Sequence, residues 1–440
     1  MFKILKNPRL WTVPIVIIVV LVYLFWVDFQ PVKKIIGYNV PPQKLPPAVD
    51  FLNASEGFNV SVFAKDLNGP RVIVFDPKGR MLVSEPKEGR VLVLEDKDQD
   101  GVADGQKVIL DGLRLPHGLD FYTDDQTKVV YLYVAETHQV ARYVYNLKSG
   151  VIDEAQKTAP QNIANLPADG RHFTRTIEFG PNYRTQAIIP GYRESETLAD
   201  QKLYISVGSS CDVCEENTWK RAAILESDPA GTYTAEFAGG LRNSVFFTFH
   251  PVTKELWATD MGRDNLGDEL PPDEINIIKV AGPEHKFGAR RFGWPFCYGS
   301  QVADKTFKPD KVERIDIPTD CSQTESPIIK IPAHSAPLGL AFIDSDKWPE
   351  EWQNHLLVAY HGSLNRSEPR GYKVVRFELD KNGLPSEVLA KEGEDFITGF
   401  YDGKNTLGRP VDLKFSPDGD ILYVSDDSAG IIYRVAPTDN

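Results

Sequence analysis

Residues Gly408–Val435 have the sequence GRPVDLKFSPDGDILYVSDDSAGIIYRV, in which short apolar runs alternate with turns. The first run ends at the turn SPDG (416–419), the second ends in Ser425 and Asp426, and the third follows Gly430. Each run has the β-branched and aromatic composition of a strand, and each break has the residues that turns require. The segment therefore predicts three consecutive strands joined by tight turns.

The same pattern recurs along most of the chain. Five earlier copies begin at residues 69, 117, 174, 242 and 337. Six sheet units, none of which buries both faces alone, are stabilised by stacking radially, at roughly 65 residues per unit. The prediction is an all-β fold, a six-bladed β-propeller over residues 51–438. The run at 58–63 is predicted to add an outer strand to the last blade and so close the ring.

The composition excludes several classes of protein. The 440 residues are 42% hydrophobic and 11% aromatic, which is ample material for a core, so a disordered or fibrous chain is excluded. The 33 Gly and 32 Pro favour turns over long helices. A formal net charge of −13 without a basic run argues against a nucleic-acid partner.

The N-terminus carries a candidate membrane anchor. Residues 10–27 are apolar and uncharged, which is long enough for a transmembrane helix. Lys3, Lys6 and Arg9 precede it, so the positive-inside rule places residues 1–9 in the cytoplasm. Residues 28–50 then form a Pro-rich tether, and the propeller is expected to be extracytoplasmic, in the periplasm. A cleaved signal peptide is the alternative, although no small-x-small cleavage site follows the apolar run.

Four cysteines form two local pairs, Cys211 with Cys214 and Cys297 with Cys321. Because export permits disulfides, each pair is expected to form a disulfide that cross-links a loop. A thioredoxin-like redox role for the first pair would need the motif to open a helix, whereas it follows a strand-like run.

The residues just before each copy's first strand are expected to meet at the mouth of the central channel, where propellers place their sites. Most of them are cationic or imidazole side chains. They are Arg71, His117, His172, Arg242, Asn243, His334 and Arg409. In an acidic protein this set predicts a pocket for an anionic ligand with several carboxylates.

Two acidic segments suggest calcium. Asp96, Asp98, Asp100 and Asp104 alternate around a glycine, as in a calcium loop, although the twelfth position is Lys107 instead of Glu. This segment is interpreted as a structural calcium site, with a solvated acidic loop as the alternative. The second segment, 260–274, has carboxylates and a Pro-Pro pair that suit a hard cation near the channel.

Several motifs carry a resemblance to a known family. They are GRHFTRT (170–176), GLRN (240–243), LWATDMG (256–262), DEIN (273–276) and FGWP (292–295). These motifs resemble the soluble glucose and sorbosone dehydrogenases, which use pyrroloquinoline quinone. The motifs HGSLNR (361–366) and GRPVD (408–412) are similar to the sorbosone branch. The resemblance covers residues 55–436.

The resemblance implies roles for individual residues. His172 matches the family's general base, and Arg242 with Asn243 matches the pair that contacts the quinone. Arg409 matches an arginine that binds the cofactor's carboxylates. His117 and His334, at neighbouring blade starts, are the further candidates for cofactor contact.

The remaining implied positions include departures from the family pattern. The carbonyls of Gly262 and Arg263 match those that hold the catalytic calcium, with Asp273 beside them, but the family has a proline where Arg263 stands. Val411 occupies the place of a second arginine. Arg366 or Asn365 is available where the glucose enzymes place a lysine near the quinone.

The expected function is therefore hydride transfer from a sugar, or a sugar-derived aldehyde or alcohol, to pyrroloquinoline quinone held with calcium. A membrane quinone or a cytochrome would then accept the electrons. One alternative is a calcium-dependent lactonase or esterase, but the blade starts offer Arg and His, which would repel a lone cation. A non-catalytic interaction propeller is the other alternative, and it predicts no ionisable cluster in the channel.

Overall fold

Six sheets follow one another along the chain in the computed structural model, which describes residues 49–183, 201–282, 288–363, 365–385 and 393–438. The chain enters through two short strands, β1 (Asn53–Ala54) and β2 (Phe58–Ala64). Blade 1 contains β3 (Ile73–Phe75), β4 (Met81–Glu85), β5 (Arg90–Glu95) and β6 (Gly105–Leu110). Blade 2 contains β7 (Leu119–Thr123), β8 (Val130–Glu136), β9 (Gln139–Asn146), β10 (Val151–Ile152) and β11 (Gln161–Asn165), with the short helix α1 (Glu154–Lys157) before β11.

The middle blades carry the longest insertions. Blade 3 contains β12 (Ile177–Pro181), β13 (Gln201–Val207), β14 (Ala223–Ser227), β15 (Thr234–Gly239) and the later strand β19 (Arg290–Arg291). Strand β19 pairs parallel with β15, whereas the other described strand pairs of the six sheets are antiparallel. Blade 4 contains β16 (Phe247–Phe249), β17 (Leu256–Asp260), β18 (Asp273–Ile278) and β22 (Ile329–Ile331). A separate hairpin is formed by β20 (Cys297–Tyr298) and β21 (Val302–Ala303).

The last two blades recruit the two strands from the start of the chain. Blade 5 contains β23 (Pro337–Phe342), β24 (Leu356–Tyr360), β25 (Lys373–Phe377), β26 (Glu394–Thr398) and β1. Blade 6 contains β27 (Pro410–Phe415), β28 (Leu422–Asp426), β29 (Ile431–Pro437) and β2. Single 3₁₀ turns lie at Pro86–Glu88, Cys321–Gln323 and Glu350–Trp352.

The sheets close into a ring, which confirms the six-bladed β-propeller. The innermost strands contact one another in the order β3, β7, β12, β16, β23, β27 and back to β3. The predicted closure is also confirmed, because β2 pairs antiparallel with β29 from Phe58 opposite Pro437 to Ala64 opposite Ile432. The pairing of β1 with β26 was not predicted.

Strand β2 joins the last blade to the first through packing as well. Phe63 and Ala64 lie in one apolar cluster with Ile73 and Met81 of blade 1 and Ile432 of blade 6. Such burial removes apolar surface from water and favours the closed ring.

Both cysteine pairs form disulfides, Cys211–Cys214 and Cys297–Cys321, as predicted. Cys297 and Cys321 lie in a small apolar cluster with Phe296 and Ile317. Cys211–Cys214 lies in the loop after β13.

The predicted anchor at 10–27 lies outside the described residues, as does most of the tether. In the described part of the chain, no helix has the length and apolar character that crossing a bilayer would need.

Removing the closing strand should open the ring. A chain that lacks residues 1–64 loses the burial of Val60 and Phe63, which are 9% and 3% exposed, at a cost of about 3–6 kcal/mol. That is comparable to the total stability of an ordinary domain, about 5–15 kcal/mol. We expect loss of cooperative thermal unfolding in this chain and its retention in a control that lacks only residues 1–47. Equal melting temperatures for the two chains would contradict the closure argument.

Candidate active site

The innermost strands begin around a cavity of about 280 Å³ at one end of the channel. Five of the seven residues predicted from the blade starts line this cavity. They are His172, Arg242, Asn243, His334 and Arg409, which come from blades 3 to 6. The sequence pattern therefore located most of one pocket from positions far apart in the chain.

His172 is held as a neutral base. Its Nδ1 lies 2.8 Å from the carbonyl oxygen of Ser209, which can only accept, so Nδ1 carries the proton and Nε2 keeps its lone pair. Burial lowers the pKa of His172 well below 6.5, and the charges of Arg242 and Arg171 lower it further. An unprotonated imidazole nitrogen at neutral pH can remove a proton from a hydroxyl group.

Arg242 lies beside His172, and its side chain is 5% exposed. Nη1 donates to the carbonyls of Met261 at 3.2 Å and Gly262 at 2.8 Å. Nε and Nη2 donate to the carbonyl and the carboxylate of Asp212, at 3.0 and 2.8 Å. These bonds fix the plane of the guanidinium at the cavity wall.

The backbone of the Arg242–Asn243 pair is fixed by Asp260 at the end of β17. Its two carboxylate oxygens accept from the amides of Arg242 at 3.0 Å and Asn243 at 2.6 Å. Burial raises the pKa of Asp260 to about 7, although these two amides oppose the shift. The position after β13 must be glycine, because a Cβ on Gly208 would lie 2.3 Å from Asn243 Oδ1 and 2.8 Å from His172 Cβ.

The opposite side of the cavity carries Arg409 and His361. Arg409 donates from Nε to the His361 carbonyl and from Nη2 to the Gly362 carbonyl, both at 3.0 Å. His361 Nε2 lies 2.9 Å from Asp427 Oδ1, and Arg71 forms an ion pair with the same carboxylate. Burial, followed by the charge of Arg409, lowers the pKa of His361 to about 4, so this imidazole is also neutral.

Three predicted residues do not reach the cavity wall. His117 is fully buried with Nδ1 3.3 Å from Thr176 Oγ1, and its ring packs edge-on against Phe246. Arg71 is paired with Asp427. Arg366 is held by the carbonyl of Asp268 and by Glu269, whose carboxylate lies 2.6 Å from Nη2.

The residues assigned to a catalytic calcium come together but are already partnered. Gly262, Arg263 and Asp273 all line the cavity. The Gly262 carbonyl accepts from Arg242, while Asp273 accepts from the amides of Gly262 at 2.8 Å and Ala336 at 2.9 Å. Carbonyl oxygens keep a second lone pair, so Gly262 still fits a cation.

The acidic loop lies elsewhere. Asp96, Asp98 and Asp100 place carboxylate oxygens within 4.8 Å of one another, and Asp104 Oδ2 accepts from the Lys97 amide at 2.6 Å. The loop joins β5 to β6, and the pairing of β3, β4 and β5 places it at the end of blade 1 away from the cavity.

Sequence reasoning missed the acidic partners of the cavity arginines. Asp212 contacts Arg242, Arg171 pairs with Asp264 at 2.7 Å, and Arg263 pairs with Asp304 at 2.7 Å. The proximity of Asp212 to a disulfide was visible in the sequence, but nothing in the spacing of the motif indicated which arginine it would meet.

The TrAA12-like family matches residues 52–438. This chain belongs to that family. An uncharacterized protein of Borreliella burgdorferi is 30% identical over 389 residues, which are 87% of this chain and 90% of that protein. The pyrroloquinoline quinone-dependent sugar dehydrogenase of Hypocrea jecorina is 22% identical over 409 residues, covering 86% of this chain and 88% of the relative.

A second curated relative is longer than this chain. The pyrroloquinoline quinone-dependent pyranose dehydrogenase of Coprinopsis cinerea is 25% identical over 423 residues, which cover 87% of this chain and 54% of that enzyme. The chain therefore spans about half the length of the Coprinopsis enzyme. Together these matches confirm the resemblance to the pyrroloquinoline quinone-dependent sugar dehydrogenases.

Two solved structures share the fold. The calcium structure of the Trichoderma reesei family AA12 enzyme has a TM-score of 0.69 at 21% identity and covers 88% of this chain and 97% of its own. The holo form of the Coprinopsis cinerea pyranose dehydrogenase quinone domain has a TM-score of 0.68 at 22% identity. The match covers 90% of this chain and 98% of that domain.

The protonation state of His172 can be measured without any ligand. Because its folded pKa is below 6.5, stability linked to this group is lost as the pH falls from 6.5 toward the folded value. In histidine-labelled protein, ¹⁵N NMR should show the Nδ1–H tautomer and no protonation at pH 6.5, with the signal assigned by its loss in His172→Gln. A pKa at or above 6.5, or an Nε2–H tautomer, would refute the description.

Proposed function

We propose that this protein is a pyrroloquinoline quinone-dependent dehydrogenase that oxidises a sugar or a sugar-derived alcohol or aldehyde. The observation that carries the proposal is the neutral His172, whose Nε2 is unprotonated and which shares one cavity with Arg242 and Arg409. Membership of the TrAA12-like family and its curated dehydrogenase relatives supports it.

The cavity suits the cofactor's chemistry. Pyrroloquinoline quinone is a flat orthoquinone with three carboxylates, so it needs hydrogen-bond donors and positive charge around its rim. Arg242 and Arg409 supply guanidiniums whose planes are fixed by backbone carbonyls, and His334 adds a further polar edge. A volume of about 280 Å³ is close to the lower end of ligand-pocket sizes, about 300 Å³.

The chain's own residues divide the remaining work. His172 Nε2 takes the proton of the substrate hydroxyl, and the Ser209 carbonyl stabilises the imidazolium through Nδ1–H. When bound, the quinone would accept the hydride that leaves the substrate carbon, so two electrons and one proton pass to it and one proton stays on His172. Arg242 would orient the quinone against His172.

Calcium is part of the proposal at two places. A cation beside the quinone would be held by the carbonyls of Gly262 and Arg263, and it would polarise a quinone carbonyl as a Lewis acid. A second, structural ion would be held by Asp96, Asp98, Asp100 and Asp104 in the loop between β5 and β6.

The lactonase alternative receives less support. It needs a calcium held by side-chain oxygens from several blades, but the two described carboxylates that line the cavity are both engaged. Asp264 pairs with Arg171, and Asp273 accepts two backbone amides. The ionisable cavity in turn argues against a purely structural interaction propeller.

Residues 10–27 are proposed to anchor the protein in a membrane, with the propeller in the periplasm. This placement would bring the cavity near a membrane quinone or a cytochrome that reoxidises the cofactor. The proposal requires that the full chain need detergent for extraction and that a chain without residues 1–47 remain soluble without it.

Two substitutions should separate cofactor binding from chemistry. His172→Gln should retain binding of pyrroloquinoline quinone but lose substrate-driven reduction by about 10²–10⁴-fold, the range for one positioned general base. Arg409→Gln should weaken the affinity about tenfold or more, because it removes a charge-assisted contact to a carboxylate. Fluorescence quenching on addition of the quinone measures affinity, and absorbance after addition of sugars measures reduction.

Lys148→Gln is the matched control, since Lys148 is exposed at the opposite end of blade 2. Its affinity and rate should equal those of the wild type. A wild-type protein that fails to bind the quinone would reject the proposal, and full dehydrogenase activity in His172→Gln would reject the assigned base.

The acidic loop should affect stability and not turnover. Calcium at 100 times its Kd should stabilise the folded wild type by about 2.7 kcal/mol and so raise its melting temperature. The double variant Asp98→Asn, Asp100→Asn should lose this calcium-dependent rise. The control is Asp111→Asn with Asp125→Asn, which removes the same charge from exposed positions. A fall in kcat at an unchanged melting temperature would show that the loop belongs to the reaction instead.

A further inference from the structure

We propose that the loop at 209–214, closed by the Cys211–Cys214 disulfide, is a clamp that holds His172 and Arg242 in their working positions. Within this clamp loop, Asp212 is the positioning residue for Arg242. The inference rests on the proposed function, because it assigns the loop a task in orienting the base and the quinone contact.

Arg242 depends on the clamp loop for three of its bonds. Its Nε donates to the Asp212 carbonyl and its Nη2 to the Asp212 carboxylate, while its own carbonyl accepts from the Ser209 amide at 2.8 Å. A guanidinium that is 5% exposed and bound on both edges has little freedom to rotate.

His172 depends on the same loop. The carbonyl of Ser209 fixes the Nδ1–H tautomer at 2.8 Å, and the Ser209 hydroxyl lies 3.1 Å from Nδ1. That hydroxyl donates to the Cys211 carbonyl at 2.7 Å, which ties the residue holding the base to the disulfide ring. One short covalent ring therefore connects the partners of both proposed working residues.

Asp212 also balances the charges of three cavity guanidiniums. Its carboxylate lies 2.8 Å from Arg242, 3.6 Å from Arg171 and 3.8 Å from Arg263. The Asp264 amide donates to it at 2.8 Å, and Trp294 Nε1 donates to its carbonyl at 3.2 Å. Without this shared anion the three like charges would repel one another and separate.

The disulfide fixes Asp212 because it restricts the two residues between the cysteines to a small set of conformations. Its reduction would take two electrons and two protons from a dithiol, leave two thiols, and release Asp212 and Ser209 to move. The expected result is a looser site in a ring that stays folded, since the blades are held by their own strands and cores.

The test compares the two disulfides. Cys211→Ser with Cys214→Ser should weaken binding of pyrroloquinoline quinone at least tenfold and raise the pKa of His172, because Arg242 no longer stays close to the imidazole. Cys297→Ser with Cys321→Ser is the control, which should lower the melting temperature but change the affinity of the folded protein less than threefold. Affinity within threefold of wild type in the first variant would overturn the proposal.

Reversible reduction of the disulfide tests the same proposal without relying on correct folding of the Cys211→Ser, Cys214→Ser variant. In the Cys297→Ser, Cys321→Ser protein, dithiothreitol reduces only Cys211–Cys214, so affinity should fall on reduction and return on reoxidation. Asp212→Asn should lower the rate at which substrate reduces the bound quinone more than it lowers the affinity for the quinone. The reason is that the substitution removes the charge that orients Arg242 but leaves an acceptor oxygen in its place. Unchanged affinity on reduction, or equal losses of rate and affinity in Asp212→Asn, would reject the clamp.

One readout does not depend on the quinone. Amide hydrogen exchange of the cofactor-free protein should accelerate at Ser209 and Asp264 on reduction, since the Ser209 amide donates to the Arg242 carbonyl and the Asp264 amide donates to the Asp212 carboxylate. Faster exchange in a protein that never binds the quinone would support the clamp and reject the proposed cofactor. Unchanged exchange would reject the clamp whatever the cofactor.

Discussion

The antiparallel pairing of β2 with β29 is the contact on which the rest of the molecule depends. It joins residues 58–64 to the last strand of the chain and lays Phe63 against the core of blade 1. The cavity exists only because the strand starts of blades 3 to 6, which are far apart in the sequence, are brought to one end of a closed ring. An open ring would expose the joined faces of blades 1 and 6 to water and would let the remaining blades move apart, which would separate His172 and Arg242 from Arg409.

A repeated acidic residue holds neighbouring innermost strands together. Asp120 accepts from the Phe179 amide of the next blade at 2.6 Å, Asp412 accepts from Ile73 at 2.8 Å, and Glu178 accepts from the Thr248 hydroxyl at 3.2 Å. Burial raises the pKa of Asp120 and Asp412 to about 6, so each carboxylate is desolvated at a cost that its hydrogen bonds partly offset. These bonds cross the blade boundaries, where the described strands of neighbouring blades form no ladder with one another.

The sequence predicted the blades because turns and strand alternation are local signals, and it predicted most of the cavity because the start of each blade is a fixed position in the repeat. It could not predict Asp212 or Asp427, whose partners lie in other blades. The position in the repeat wrongly predicted that His117 lines the cavity, because its ring packs into the core against Phe246. Arg366 has the expected charge, but its guanidinium forms an ion pair with Glu269 from another loop.

Under the proposed function, the charges of the cavity explain how an acidic protein would attract an anionic cofactor. Arg171, Arg242 and Arg263 each lie beside a carboxylate, so their fields are largely cancelled at a distance. Arg409 differs, because in the described structure its guanidinium contacts neutral carbonyls and forms no ion pair within 4.0 Å. A ligand carboxylate therefore gains most where it meets Arg409, and the paired arginines can contribute only through directed hydrogen bonds at contact distance. If the proposed cofactor binds here, its recognition separates attraction, which Arg409 would supply, from orientation, which Arg242 would supply.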